Sequence, residues 1–135
     1  MTHYERGEWT AAWSPGSGSI TVDNSFKTGR YERIGNVCFI TLHIRASSVS
    51  TPSGQLKITG LPFSTPNNSE FRHSFGVPFF FGLTSMTNGL VPIVYLGQNS
   101  AELIIGVQST NSIGNLDASK IIANSELYIT GHFHV

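Results

Sequence analysis

Alternation of apolar and polar residues with period two is the feature that leaves this chain fewest ways to fold. From Cys38 to Ile44 the even positions read Cys38, Ile40, Leu42 and Ile44, while Thr41, His43 and then Arg45 take the odd ones. Successive strand side chains leave opposite faces, so the segment reads as a strand with one buried face. The C-terminus repeats the pattern, with Leu127, Ile129, Phe133 and Val135 on one face and Tyr128, Thr130, His132 and His134 on the other. Further strands are expected over residues 8–13, 19–22, 29–34, 55–59, 71–81, 90–96 and 101–107. Turn formers separate them, among them Ser14-Pro15-Gly16, Gly35-Asn36, Thr51-Pro52-Ser53-Gly54, Thr65-Pro66-Asn67-Asn68, Asn88-Gly89 and Gly97-Gln98-Asn99. Residues 47–53 read as a long hairpin loop, and only 117–123 as a short helix. So many short strands predict an all-β fold, an antiparallel jelly-roll-like β-sandwich, and the 135 residues form one domain over 1–135.

Composition narrows the function classes. Eight basic and eight acidic residues make up 12% of the chain, against about 25% in an ordinary soluble domain. Zero net charge without a Lys/Arg cluster gives no footprint for a nucleic-acid backbone or an anionic membrane. The greasiest stretch, 77–83, is far short of a bilayer span and contains Pro78 and Gly82. The first residues carry neither a basic nor an apolar region, so no secretory signal is expected. Cys38 is the one cysteine, which excludes a disulfide within the chain. Polarity comes instead from 17 Ser, 12 Thr and 14 Gly. Such a surface suits neutral hydroxyl-bearing ligands and other copies of the chain.

Four blocks then follow in order: Tyr4-Glu5-Arg6-Gly7-Glu8-Trp9-Thr10, Gly29-Arg30-Tyr31-Glu32-Arg33-Ile34-Gly35-Asn36-Val37, Gly54-Gln55-Leu56-Lys57-Ile58-Thr59-Gly60-Leu61-Pro62-Phe63 and Ser125-Glu126-Leu127-Tyr128-Ile129-Thr130-Gly131. Together they resemble the C-terminal receptor-binding domains of bacteriophage tail fibre and tailspike proteins. The chain departs from that pattern at Ala11, where the family has Pro, and in its ending Gly131-His132-Phe133-His134-Val135; residues 66–115 match none of its blocks. The resemblance implies a homotrimer at the distal tip of a fibre or spike, made in the host cytoplasm and binding host cell-surface glycan or another receptor. The rival readings are a purely structural trimerisation cap and a hydrolytic, polysaccharide-degrading domain.

Catalytic motifs are missing. Gly16-Ser17-Gly18 lies in a turn rather than in a Gly-x-Ser-x-Gly elbow, and the two Asp residues, Asp23 and Asp117, are tied to no His by motif. An enzyme is therefore not expected. His132 and His134, two apart on one strand face, stand about 6–7 Å from each other. Three copies around an axis would offer layers of imidazole nitrogens suited to Fe, Ni or Zn, so an axial metal is a candidate cofactor though none is required. Trp9 and Trp13, four apart, read first as core or interface and second as sugar-stacking residues. Arg72 and His73, with Asn67, Asn68 and Asn88 in nearby loops, are candidate ligand contacts. In the run Phe79-Phe80-Phe81 the middle ring must oppose its neighbours. Burial between subunits is the expected fate of such a run.

Overall fold

The computed structural model describes residues 3–71, 73–76, 78–84, 86, 90–109 and 113–135. Twelve strands are found among them: β1 Tyr4–Thr10, β2 Ala12–Ser14, β3 Ser17–Val22, β4 Thr28–Ile34, β5 Val37–Ser53, β6 Leu56–Thr59, β7 His73–Gly76, β8 Phe79–Phe81, β9 Val91–Leu96, β10 Leu103–Gln108, β11 Ile113–Asn115 and β12 Glu126–His134. They form two antiparallel six-stranded sheets packed as a sandwich. The front sheet runs β1-β4-β5-β12-β8 with β3 on the end of β5, and the back sheet runs β2-β6-β10-β9-β7 with β11 on β10.

The alternation in the sequence builds the core directly. Cys38, Ile40, Leu42, Ile44, Leu127, Ile129 and Phe133 face inward from the front sheet, and Leu56, Ile58, Val94, Leu96, Leu103 and Ile105 meet them from the back. Phe133 is fully buried, and the Phe75 ring meets it edge-on at 6.4 Å. Phe75 also fills the space beside Gly131, where a Cβ would stand 2.0 Å from the ring. β4 and β5 are joined through Gly35-Asn36, with Ile34 opposite Val37. Gly35 takes φ 58°, as the first central residue of a type II′ hairpin requires.

Three expectations are corrected. The strand expected over 8–13 breaks at Ala11, so that Trp9 belongs to the front sheet and Trp13 to the back one. That crossing lets each indole enter the core from its own side, and Gly60 permits it, since a Cβ there would lie 2.0 Å from the Thr10 carbonyl oxygen. The strand expected over 71–81 splits likewise, β7 pairing with β9 and β8 with β12, because Pro78 has no N–H to continue a ladder. Residues 47–53 are no loop: they extend β5 and pair with β3 from Ser17 to Val22. The short helix is one 3-10 turn, Ala118–Lys120, capped by the Asp117 carboxylate, which accepts from the Ser119 amide at 2.9 Å.

Candidate functional site

The outward face of the front sheet collects side chains that a sandwich normally hides. Among the described residues nine large hydrophobic side chains are exposed, and six of them, Tyr4, Ile34, Phe39, Phe79, Phe81 and Tyr128, lie on this one face. The strand registers explain the grouping. Arg6 stands opposite Glu32, and Glu32 opposite Phe39, which in turn faces His132. The next row reads Glu8, Arg30, Thr41 and Thr130. Beyond it, His43 faces Tyr128, and Tyr128 faces Phe79.

Two depressions open on this face. The larger, about 540 Å³, is walled by Arg6, Glu8, Arg30, Glu32, Phe39 and Thr41 over the backbone of Gly7, Tyr31 and Ile40. The smaller, about 340 Å³, lies between Thr28, Arg30, Thr41, His43, Tyr128 and Thr130. Arg30 and Thr41 line both, so the two make one trough running across β4, β5 and β12. The Arg30 guanidinium reaches Glu8 only at 3.9 Å and is 79% exposed, so it keeps donors free for a ligand. Phe39 is 45% exposed, with the His132 ring tilted beside it at 5.6 Å.

The floor at the other end is an aromatic ladder. Phe26, His43 and Tyr128 follow one another at 4.6 and 4.0 Å, and Phe79 meets Tyr128 edge-on at 5.2 Å. Glu126 Oε1 lies 3.4 Å from both His43 Nε2 and Arg45 Nε. The Arg45 guanidinium in turn sits 5.2 Å over the Phe26 ring. These contacts hold the Tyr128 ring upright at the end of the trough. Behind the other end, Tyr31 donates to Glu5 Oε1 at 2.9 Å and His3 lies 2.7 Å from Glu5 Oε2. Hydrogen bonds first from His3 and then from Tyr31 hold the Glu5 carboxyl below its ordinary range, and the Glu5 contact pushes the Tyr31 phenol up.

Of the residues singled out from sequence, His132 and His134 lie on this face and the others that are described do not. Trp9 and Trp13 are buried at 5% and 6% exposure, so neither ring can stack on a ligand; both are core. Asn67 and Asn68 are exposed but engaged within the chain: Asn67 accepts from Gln98 of the β9–β10 connection, and Asn68 accepts from the Glu70 amide of its own loop. Arg72 and Asn88 lie outside the described residues, and of His73 only the backbone, opposite Leu96, is described. His132 and His134 do leave β12 on its outward side. Among the described residues no three His, Cys, Asp or Glu side chains of one chain converge as a metal site would require. Phe79 and Phe81 are 61% and 59% exposed while Phe80 turns inward, the alternation expected of that run. Sequence reading missed Phe39 and Tyr128 as a pair. Its available signal was an aromatic on the polar phase of each of the two clearest strands.

No family model matches the chain. It is 27% identical over 121 residues to the tail spike protein of Salmonella phage epsilon15, an alignment covering 89% of this chain and 11% of that protein. Its structure is similar to the crystal structure of the Dettilon tailspike protein, with a TM-score of 0.81 and 26% identity over 97% of this chain and 24% of the other. The chain therefore spans between a tenth and a quarter of the length of these relatives.

Proposed function

We propose that this domain, a homologue of phage tailspike proteins, is an adhesin module of the virion tail that binds host cell-surface glycan in the front-sheet trough without altering it chemically. The observation that carries this reading is Phe39, an exposed ring at the wall of a 540 Å³ groove among Arg6, Glu8, Arg30, Glu32 and Thr41. An aromatic platform takes the apolar face of a sugar, while guanidinium, carboxylate and hydroxyl groups take its hydroxyls. Glu8 and Glu32 each stand opposite an arginine, an arrangement that offers sugar hydroxyls a donor and an acceptor side by side. Three chains meeting through Phe79 and Phe81 at the β8 edge would form the fibre tip, with the troughs opening beside the contacts. Many weak equivalent sites on a virion then act through avidity.

A purely structural cap is the second reading, and the same exposed Phe79 and Phe81 favour it. Adsorption of the labelled domain to fixed host cells separates the two. Binding that is lost in Phe39→Ala and Arg30→Ala supports the adhesin, whereas no adsorption by well-folded protein supports the cap. Release of reducing ends from host polysaccharide would establish the hydrolytic alternative. The His132/His134 pair would hold an axial ion only if other copies supplied further nitrogens, and that placement would bring Phe39 against the axis and close the trough.

A further inference from the structure

Resting on the glycan-binding reading above, we propose that the trough takes an uncharged oligosaccharide that extends from Phe39 to Tyr128, rather than a single sugar or an acidic one. The length follows from the register. Tyr128 stands opposite His43 on the neighbouring strand, and His43 is four residues beyond Phe39 on β5. At the usual rise and strand spacing the two aromatic positions are about 14 Å apart. One pyranose ring reaches one of them but not both.

The stretch between them is continuous and hydroxyl-rich. Thr41 and Thr130 are paired across β5 and β12, and Thr28 and Arg30 border the same depression. Arg30 and Thr41 border both depressions, so a chain passing from one to the other crosses Thr41 with the Arg30 guanidinium beside it.

The charge follows from the pairing. Arg6 and Arg30 are matched by Glu32 and Glu8 across β1 and β4, so the trough has no net formal charge from these groups. A uronate or other acidic sugar would meet a carboxylate beside every arginine, a like-charge juxtaposition that costs affinity. A neutral chain finds alternating donors and acceptors instead. Tyr128 is held between His43 and Phe79, so little side-chain freedom is lost when a ligand closes on it.

The test is calorimetry of the intact protein with two ladders of oligosaccharides, one from a neutral glucan, galactan and mannan set and one from uronate-containing polymers, each from one sugar ring upward. Affinity should rise with length along a neutral ladder and then level off. Tyr128→Ala should lower affinity for the long neutral chains about tenfold, as expected for loss of one aromatic contact, and leave that for the shortest unchanged. Phe39→Ala should weaken both. A single sugar binding as tightly as the longest chain, or tighter binding of the acidic ladder, would overturn the proposal while leaving the adhesin reading intact. No binding of any sugar by folded protein would overturn the adhesin reading itself.

Discussion

The Tyr128 ring lies against the His43 imidazole across β5 and β12, with centroids 4.0 Å apart and planes within 24°. The pair is anchored from below by Glu126, whose Oε1 is 3.4 Å from His43 Nε2 and from Arg45 Nε. Neither nitrogen makes a directed hydrogen bond, so the anchor is the charge attraction between Arg45 and Glu126. Glu126→Gln should cost about 1 kcal/mol, typical of a partly exposed charge contact. Urea denaturation at low salt measures it, and the difference should shrink at high salt.

Trp9 and Gly29 test the placement of the indole. A Cβ on Gly29 would stand 2.3 Å from the Trp9 ring. Gly29→Ala should therefore destabilise the domain by about 2 kcal/mol through overpacking. Combined with Trp9→Leu, the added methyl should cost much less than it does alone. Thermal or urea unfolding of the four proteins closes this cycle.

Glu5 sets a pH dependence of definite sign. Its carboxyl is held below the ordinary 4.5 by His3 and then Tyr31, so the folded chain favours the ionised form more than the unfolded chain does. The stabilisation is complete above pH 4.5 and is lost as pH falls through the lowered value. Glu5→Gln should be less stable than wild type at neutral pH, and the two curves should converge in acid. Denaturant unfolding over that range is the measurement.

Cys38 is fully buried, and burial pushes its thiol up to about 11. The thiolate is the reactive form. Maleimide at neutral pH should leave Cys38 unlabelled in the folded protein and label it once denaturant is added.

Phe79 and Phe81 should carry the contact between copies. Light scattering should give the mass of three chains for the wild type, and Phe79→Ser with Phe81→Ser should give single chains that remain folded. Elemental analysis of protein purified without a His tag should find no transition metal. One ion per trimer would instead put His132 and His134 on the axis.

The sandwich was legible because period-two alternation reports which face of a strand is buried, and it did so for Cys38–Ile44 and for the end of the chain. Where the chain changes sheets the pattern runs on unbroken, as at Trp9, Ala11 and Trp13, so those crossings were not legible. The trough was hidden for a different reason. Phe39, Arg30 and Glu8 lie on three strands and are gathered only by the registers of β1, β4 and β5. Register depends on pairing partners distant in sequence. Asn67 and Asn68 looked like ligand groups because turn chemistry and sugar contacts use the same side chains.

Backbone amide shifts recorded while a neutral oligosaccharide is titrated into the protein test the central claim most directly. Changes at Phe39, Thr41, Tyr128 and Thr130 on the front sheet are the predicted result. Changes confined to the Asn67–Asn68 loop, with the front sheet silent, would contradict it.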